Sequence, residues 1–434
     1  MRPETPGLAS LLRVSTSLAV ELPGRSHSDG RRFAALDGLR IVGALAVLTT
    51  HAAFSSGDAL FGPFAGLLSR LDAGVPLFFV VSGFLLYRPH VRVRLGTAGE
   101  REAGRTLDGR VYLRHRALRI LPVLWLAVLA AVLLLPHPAS VGAGDYVRIA
   151  TLTQIYTDSP SVPGLTQMWS LATEVAFYLA LPLLAWGLAR VPGSAPVWTR
   201  RSAVLLALTP VVAVVWIVAT HNAFGAAANL WLPAYLGWFG MGMLLALWHE
   251  ARLAGAWPRT VLDDLGQAPG TVWAMAAALY LLLSTPVAGP YGLTSATTLE
   301  AVVKNVGYTL LGLLVVAPCV TAEATSSRVV RALGSRPAKA LGDVSYGVFA
   351  YHLIVLGLVE RAIGHQDFTG NLPILWPVTV LVSIPLAYAS FRWIERPIMQ
   401  WGRRRVGRAR PQPAPAPAPA TSSGRHRPGP TAAR

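Results

Sequence analysis

The sequence predicts an all-α, polytopic membrane protein with about ten transmembrane helices. Composition is the first observation behind this prediction, since 53% of the 434 residues are hydrophobic and only 14% are charged. A soluble chain of this size would need far more charged surface. The second observation is the uneven distribution of basic residues among the segments that connect the apolar runs. Together they predict that the N- and C-termini both lie in the cytoplasm.

Ten apolar segments are candidates for membrane-spanning helices, although the second one is short. Several contain a proline, which a transmembrane helix tolerates when neighbouring groups satisfy the freed backbone carbonyl. The predicted spans are residues 36–56, 72–88, 117–136, 169–189, 202–220, 229–248, 271–287, 299–319, 340–361 and 372–394.

The spans lie within one predicted membrane domain, residues 36–397. Residues 1–35 are predicted to form a cytoplasmic extension. Their apolar run contains Arg13, is too short to span a bilayer, and is not followed by a small-residue cleavage site. Residues 398–434 are basic and rich in Pro and Ala, which predicts an extended, disordered cytoplasmic tail.

The distribution of basic residues between the two sides of the membrane tests the predicted number of spans. If both termini are cytoplasmic, 34 of the 38 Lys and Arg residues fall on the cytoplasmic side, as the positive-inside rule requires. An error of one span would exchange the sides of every later loop, so the asymmetry favours ten. We expect a multi-pass protein of a bacterial cytoplasmic membrane. Topology and anionic lipid headgroups explain the net charge of +17 without a nucleic-acid partner.

Ionisable side chains within the spans are candidate functional residues, because burying them in a membrane is costly. Arg40 and His51 are eleven residues apart in the first span, which places them on nearly one helix face, about 16 Å apart along the axis. The fourth span runs inward, which places Glu174 about one and a half turns below the outer surface, level with His51. Three more arginines are expected at the cytoplasmic ends of the second and third spans: Arg88, Arg116 and Arg119.

Six motifs occur in a fixed order along most of the chain: residues 36–40 followed by His51, then 76–85, 112–122, 169–179, 341–352 and 394–397. In this order they resemble the integral-membrane acyltransferase 3 family, which transfers acyl groups, often acetyl, to cell-surface glycans, lipids and secondary metabolites. The chain departs from the family pattern in two places. Val175 stands where a second acidic residue is usual, and Leu353 and Ile354 follow His352 where many relatives have Trp and Pro.

The resemblance implies a membrane O-acyltransferase. It would move an acyl group, expected to be acetyl, from cytoplasmic acyl-CoA to a hydroxyl of a glycan, a lipid-linked sugar or glycolipid, or a glycosylated metabolite. Acyl-CoA (acetyl-CoA) is then a co-substrate, and no bound cofactor and no metal site are expected. The single cysteine, Cys319, excludes an intramolecular disulfide. The expected partners are acyl-CoA, the acceptor and membrane lipids.

His51 and Glu174 are the predicted catalytic residues. Histidine suits removal of the acceptor's hydroxyl proton, because its ordinary pKa of about 6.5 lies near working pH, and a covalent acyl-histidine is an equally open route. Glu174 would orient the imidazole. Arginine suits phosphates, so the predicted donor-binding residues are Arg40, Arg88, Arg116 and Arg119. The predicted channel-lining residues are Ser82, Gly83, Phe84, Trp169 and Tyr346.

Structural alternatives stay open for most of these residues. Asp37 and Arg40 could form only an ion pair with each other, and Arg116 and Arg119 could serve only as topology anchors. His51 and Glu174 could each have a purely structural role. The segment 82–84 could allow close helix approach through its small residues.

Two further expectations concern residues outside the motifs. Glu300 and Lys304 are four residues apart and are expected to pair with each other. Trp231, Tyr235 and Trp238 are expected to lie at the membrane–water interface. The alternative function is a multi-span transporter of a small anion or an acylated product, although the two halves show no evident inverted repeat.

Overall fold

The computed structural model describes residues 33–158, 161–221, 226–292, 294–321 and 327–408, and these ranges contain helices and no strand. The predicted N-terminal extension lies almost entirely outside the described residues, as does the tail from residue 409 onward. The α-helices are, in chain order, α1 (Ala34–Ser56), α2 (Asp58–Phe61), α3 (Ala65–Ser69), α4 (Gly74–Arg94), α5 (Glu100–Leu107), α6 (Gly109–Leu134), α7 (Ala143–Ala150), α8 (Met168–Ala189), α9 (Ala195–Ala207), α10 (Thr209–Thr220), α11 (Leu232–Leu253), α12 (Val261–Gln267), α13 (Pro269–Leu283), α14 (Thr298–Thr321), α15 (Arg328–Leu333), α16 (Arg336–Ile363), α17 (Leu372–Ser390) and α18 (Arg396–Arg408).

Nine helical segments in the described ranges are long and apolar enough to cross a membrane. They are α1, residues 65–94, α6, α8, residues 195–220, residues 227–253, α14, α16 and residues 372–402. Helix α13 coincides with the remaining predicted span but has only 15 residues, about 22 Å of helix against a hydrocarbon core of about 30 Å. The prediction of an all-α polytopic membrane protein is confirmed, while the side on which each terminus lies stays a prediction.

Local chemistry determines where the helices that carry the site begin and end. Helix α1 ends at Gly57, whose φ of 88° is the left-handed conformation that glycine adopts at a helix C-terminus. Helix α6 begins after Asp108, whose carboxylate accepts hydrogen bonds from the backbone N–H groups of Arg110 and Val111 at 3.0 and 3.2 Å. Ser335 accepts a similar bond at the start of α16.

Glycines let the central helices approach closely. A Cβ atom at Gly83 of α4 would collide with the backbone carbonyl of Phe239 in α11, and one at Gly242 of α11 would collide with that of Val80. Small residues at such crossings replace the hydrophobic driving force that is missing between helices in lipid. Helices α4 and α11 therefore form the tightly packed centre of the bundle.

Three contacts orient the helices around α1. Phe33, just before α1, packs edge-on against Phe84 of α4, with ring centroids 5.0 Å apart, while Gly43 lies against Gly74. Helix α4 therefore runs antiparallel to α1. Gly342 of α16 lies against the backbone of Asp37, so α16 begins beside the start of α1 and runs parallel to it. We call the end of the bundle at which α1 begins the proximal end, and the opposite end the distal end.

The predicted disordered tail begins later than expected. Residues 398–408, assigned to the tail from the sequence, continue helix α18. Gly402 packs against Leu118 of α6, and the guanidinium of Arg114 lies 5.8 Å from the ring centroid of Trp401. The Pro- and Ala-rich run begins at residue 411, outside the described residues. Contacts with α6 therefore extend the last helix beyond the predicted boundary.

The expected interface position of Tyr235 and Trp238 is wrong, while that of Trp231 stays a prediction. Trp238 is 5% exposed, and the ring of Tyr235 packs against both Trp238 and Trp169, at centroid distances of 4.6 and 5.3 Å. The indole N–H of Trp231 donates to the carbonyl of Ile155 at 2.7 Å. The rings of Tyr235 and Trp238 pack in the interior against Phe79 of α4, at centroid distances of 5.9 and 5.7 Å. The indole N–H of Trp238 donates to the carbonyl of Asn305, and an aromatic side chain whose polar group has a partner is stable inside.

Candidate functional site

Arginines from two helices line a narrow cavity of about 100 Å³ in the middle of the bundle, which we call the central cavity. Arg40 comes from α1, and Arg116 and Arg119 come from α6. In the part of the chain that the structure describes, these three guanidinium groups form no ion pair and no hydrogen bond. The Arg116 guanidinium lies 5.8 Å from the ring centroid of Tyr178. The sequence-predicted arginines of α1 and α6 are thus brought together.

Glu174 lines the same cavity and is held by two hydroxyl groups. Its carboxylate accepts hydrogen bonds from the hydroxyl of Ser82 on α4 and from that of Tyr178, one turn further along α8, at 2.6 Å for the tyrosine. The cavity therefore contains three guanidinium groups and one carboxylate. Its charge is positive, and the carboxylate's position is fixed by hydroxyl donors.

The expectation that Glu174 lies level with His51 is wrong. Glu174 lines the central cavity, whereas His51 lines a different one. The reason is that α8 does not begin at the distal surface. The side-chain amide of Gln167, just before α8, donates to the carbonyl of Ala350 in the middle of α16 at 3.1 Å. Glu174 then lies about 9 Å further toward the proximal end.

His51 lines a large cavity of about 1010 Å³ at the distal end, which we call the distal cavity. Its wall combines hydroxyl, carboxylate, amide and ammonium groups with the indole of Trp169. The polar groups that line it include Ser55, Asp72, Thr166, Gln167, Lys304 and Glu360. Apolar side chains, including Phe349, Leu353 and Leu356, lie between these polar groups. A wall of this mixed kind suits a ligand that has apolar surface as well as hydroxyl groups.

The two cavities adjoin at three shared residues, Val75, Ser170 and Phe349, which line both of them. Val75 lies near the start of α4, Ser170 near the start of α8, and Phe349 in the middle of α16. Arg40 and His51 thus open into two neighbouring cavities, on either side of a junction that three helices form.

His352 is a residue of the site to which the sequence assigned no role, because the residues after it depart from the family pattern. Its imidazole is fully buried, and its ring centroid lies 5.3 Å from that of His51. Nδ1 lies 2.8 Å from the carbonyl oxygen of Phe349. A carbonyl oxygen only accepts, so Nδ1 carries the hydrogen and Nε2 keeps a lone pair. That Nε2 is buried and has no hydrogen-bond partner among the described residues. His352 is an ionisable residue within a predicted span, and this position could have identified it from the sequence as a candidate functional residue.

Asp72 is a residue of the site that the sequence analysis missed. It lies in the distal cavity wall, where its carboxylate accepts hydrogen bonds from Lys304, at 2.7 Å, and from the hydroxyl of Tyr308. The expected pair of Glu300 with Lys304 is wrong, because Glu300 instead binds the backbone N–H of Thr297 at 2.7 Å. Glu300 forms a capping bond at the start of α14, whereas Lys304 binds the carboxylate of Asp72 from another segment. The two residues therefore do not pair with each other.

Buried Arg70 fixes the loop that follows α13. Its guanidinium donates to the backbone carbonyls of Leu283 and Ala288 at 3.0 and 2.9 Å, and it is only 2% exposed. Carbonyl groups of an irregular segment would otherwise lack partners at this depth. Arg70 therefore holds part of the distal cavity wall in place.

Three predicted site residues lie outside both cavities. Arg88 forms an ion pair with buried Glu250, and its guanidinium lies 4.8 Å from the ring centroid of Phe33. Gly83 lies in the contact of α4 with α11, and Phe84 is fully buried against Phe33. These positions support the alternative of close helix approach for Gly83 and Phe84.

The remaining predicted residues line one of the cavities. Trp169 lies in the wall of the distal cavity, and Ser82 and Tyr346 in that of the central cavity. The hydroxyl of Tyr346 donates to the carbonyl of Ile120 in α6 at 2.9 Å. The alternative in which Asp37 pairs with Arg40 is wrong, since Asp37 lies 3.6 Å from the ammonium group of Lys339.

Comparison with known proteins identifies the family. A family model described as an acyltransferase domain matches residues 33–392. Nodulation protein 10 of Rhizobium leguminosarum bv. viciae is 26% identical over 407 residues, which cover 87% of this chain and 96% of that protein. Peptidoglycan O-acetyltransferase OatA of Listeria monocytogenes is 23% identical over 389 residues, which cover 85% of this chain but 56% of that protein. Exopolysaccharide production protein ExoZ of Rhizobium meliloti is 28% identical over 349 residues, which cover 77% of this chain and 91% of that protein. No solved structure matches the chain.

The family match extends from the residue before α1 to the end of α17, so it includes both cavities and every side chain that joins them. The resemblance carried by the six sequence motifs is confirmed. The chain belongs to the acyltransferase 3 family and is a multi-pass membrane O-acyltransferase.

Proposed function

We propose that the protein transfers an acyl group from cytoplasmic acyl-CoA, through the central cavity, to an acceptor hydroxyl beside His51. The observation that carries this proposal is the set of three unpaired guanidinium groups in a cavity that adjoins the one lined by His51. The proximal end is then the cytoplasmic end, and the protein lies in a bacterial cytoplasmic membrane with both termini inside.

Electrostatics favours an anionic ligand in the central cavity. Arg40, Arg116 and Arg119 face only one carboxylate there, that of Glu174. A charged group away from water is costly unless a counter-charge or hydrogen bonds compensate it. The phosphates of acyl-CoA supply both, and the fixed fork of donors on arginine fits them.

The shape of the route fits the donor as well. Arg40 and His51 are separated by about 16 Å along α1, a distance comparable to the length of the pantetheine arm. The central cavity, of about 100 Å³, is small, and a thin, extended chain is the part of either substrate that a small passage accommodates. The distal cavity is about ten times larger and lies within the size range of pockets for small molecules. The donor's phosphates therefore bind the arginines of the central cavity, the arm extends from them toward His51, and the acceptor occupies the distal cavity.

His51 is the proposed base at the place where the donor's thioester meets the acceptor hydroxyl. Its imidazole removes the proton of the acceptor hydroxyl while the hydroxyl oxygen attacks the thioester carbonyl carbon. The C–O bond of the new ester forms, the C–S bond breaks, and the leaving thiolate takes the proton from the imidazolium. In the covalent alternative, an imidazole nitrogen first accepts the acyl group and then passes it to the hydroxyl.

His352 is the proposed positioning residue for His51. The Nε2 lone pair of His352 faces a buried region with no donor of its own among the described residues. We propose that an N–H of His51 donates to this nitrogen during the reaction, because the centroids of the two rings lie only 5.3 Å apart. That hydrogen bond would fix which nitrogen of His51 keeps its lone pair and acts as the base.

The acceptor is proposed to be a hydroxyl of a glycan, a lipid-linked sugar or glycolipid, or a glycosylated metabolite. Two of the relatives have names that refer to peptidoglycan O-acetylation and exopolysaccharide production. We therefore propose acetyl as the acyl group. The polar wall of the distal cavity, with Asp72, Lys304 and Glu360 beside the indole of Trp169, supports a sugar-like acceptor.

A thiol-release assay tests the proposal. Purified protein in detergent, given acetyl-CoA and a soluble oligosaccharide acceptor, is expected to release CoA only when both are present. H51A should reduce the rate at least about 100-fold, as expected for loss of a general base. The matched control is H137A, because His137 is exposed and lines neither cavity. Full activity of H51A would reject the role of His51. Movement of a small anion or an acylated product across vesicles, without CoA release, would favour a transporter.

A further inference from the structure

A third cavity, of about 390 Å³, lies at the proximal end and adjoins the central cavity; we call it the proximal cavity. Leu85, Leu86 and Arg116 line both of them. The proximal cavity is formed by the end of α4, by the short helix α5 and by the start of α6. Its remaining lining residues are Pro89, His90, Glu102, Arg105, Thr106, Val111, Tyr112 and His115.

The proximal cavity is cationic. Arg105 and Arg116 carry fixed positive charge into it. Glu102 supplies the lining carboxylate, but it is engaged in an ion pair with Arg92 at 3.1 Å. The cavity therefore has uncompensated positive charge beside the apolar surface of Leu85 and Leu86.

Two polar atoms at the boundary of the cavity are buried without a hydrogen-bond partner among the described residues. One is the hydroxyl oxygen of Tyr112, and the other is Nε of Arg116. Buried polar groups in native structures nearly always have a partner. Both groups are donors, and a phosphate oxygen accepts from either. Two donors without partners, beside cationic side chains, favour an anionic ligand in this cavity.

We propose that the proximal cavity binds the nucleotide end of the donor, a nucleoside that carries an additional phosphate. This proposal rests on the proposed acyl-CoA donor. The base packs on the apolar wall of Leu85, Leu86 and Pro89, while Arg105 and Tyr112 bind the ribose phosphate. Arg116, which lines both cavities, binds the diphosphate that joins the nucleoside to the pantetheine arm.

The order of the three cavities along α4 matches the order of the parts of the donor. Val75 marks the junction of the distal and central cavities, and Leu86 that of the central and proximal ones. These residues are eleven positions apart, about 16 Å of helix, comparable to the extended pantetheine arm. His90, one turn beyond Leu86 on α4, lines the proximal cavity, so this cavity follows the central one along the helix. A donor extended along α4 places its thioester, arm and nucleotide in successive cavities.

Equilibrium binding of adenosine 3′,5′-bisphosphate to the purified full-length protein tests the site. This probe has the nucleotide phosphates but lacks the pantetheine arm. R105Q and Y112F are each expected to weaken its binding about tenfold, through loss of a donor to phosphate. R110Q is the matched control. Arg110 is exposed and lies outside the cavity, and its replacement removes the same charge as R105Q does. R110Q should change affinity less than about twofold if the effect is local and not long-range.

Pantetheine is the second probe. Its affinity should change less than about twofold in R105Q and Y112F, because it has no phosphate. Equal weakening of pantetheine and of the bisphosphate would mean general damage to the fold and would overturn the proposal. So would unchanged bisphosphate affinity in both variants. Two variants on different helices, each checked by its thermal unfolding midpoint, keep the test informative if one of them does not fold.

Lipid headgroups carry the same phosphate chemistry, so the binding is repeated in nanodiscs of phosphatidylcholine alone and with phosphatidylglycerol. Bisphosphate binding that depends on Arg105 in both supports the nucleotide site. Absence of bisphosphate binding, with an Arg105-dependent enrichment of phosphatidylglycerol, would contradict it. Bisphosphate binding without any acetyl-CoA turnover would retain this site while rejecting the proposed acyl transfer.

Discussion

The imidazole rings of His51 and His352 lie with their centroids 5.3 Å apart, on two helices that run parallel. Close packing of α16 on α1 produces this relationship, since Gly342 lies against the backbone of Asp37. His352 also has its Nδ1 bonded to backbone carbonyls of its own helix. The pair gives His51 a neighbour that can accept its N–H.

We predict that H352A lowers kcat about tenfold or more while leaving KM for acetyl-CoA nearly unchanged, because His352 positions the base and does not touch the donor. H352Q should recover part of the loss, since its amide also accepts a hydrogen bond. Steady-state kinetics on folded protein measures both values. The control is Y351F, which removes only the hydroxyl bonded to Ser390 at 2.9 Å. A wild-type kcat in H352A would contradict the proposal that His352 positions His51.

We predict that R40Q and R119Q raise KM for acetyl-CoA at least about tenfold, because each removes donors to phosphate in a cavity of excess positive charge. The dependence of KM on ionic strength should also become weaker. R190Q is the control, because Arg190 is a proximal arginine whose guanidinium packs on Trp186, 3.5 Å from the ring centroid. If R40Q and R190Q behaved alike, the central cavity would have no special role in binding the donor.

We predict that E174Q does not reproduce the loss of activity seen in H51A. Glu174 bonds Ser82 and Tyr178 in the central cavity and does not line the cavity of His51. E174A should instead lower stability by about 1–3 kcal/mol, because two buried hydroxyl groups lose their acceptor. Activity and thermal unfolding of both variants check this. A loss of kcat in E174Q as large as that in H51A would restore the orienting role expected from the sequence.

We predict that Asp72 and Lys304 are energetically coupled, whereas Glu300 and Lys304 are not. The first pair is separated by 2.7 Å and is about one-third exposed, so the expected coupling is about 0.5–1 kcal/mol after solvent screening. A double-mutant cycle with D72N and K304M measures it. A parallel cycle with E300Q is the control, and a coupling there as large as that of Asp72 would contradict the observed contacts.

We predict that G83A destabilises the protein by about 1–3 kcal/mol, because a Cβ at Gly83 would collide with the backbone of α11. G187A is the matched control, since an added Cβ at Gly187 of α8 meets no atom within 4 Å. Thermal unfolding in detergent compares the two variants. Equal midpoints would show that α4 and α11 are not in close contact at this position.

Hydropathy predicted the membrane fold well, because a span must be apolar along its whole length whatever it packs against. The sequence also placed Arg40, Arg116 and Arg119 near one depth, and the three line one cavity. For these residues, the position along a span was sufficient to estimate depth.

Depth could not be estimated for Glu174, because α8 begins within the bundle, where Gln167 bonds to α16. Contacts between distant segments were equally hidden. Lys304 pairs with Asp72, which is 232 residues away in the sequence, and not with Glu300, which is one turn away. Arg88 pairs with Glu250 of another helix. Sequence spacing reports neighbours on one helix but not partners on another, so His352 beside His51 required the structure.

Transfer across an oriented membrane tests the central claim most directly. Proteoliposomes with uniformly oriented protein receive radiolabelled acetyl-CoA on the proximal side and an oligosaccharide acceptor only on the distal side. We predict that label appears on the acceptor with wild-type protein and with H137A, and that H51A and R40Q abolish or strongly reduce it. Label that reaches only acceptors on the side of acetyl-CoA, or that is unaffected by H51A, would contradict the account.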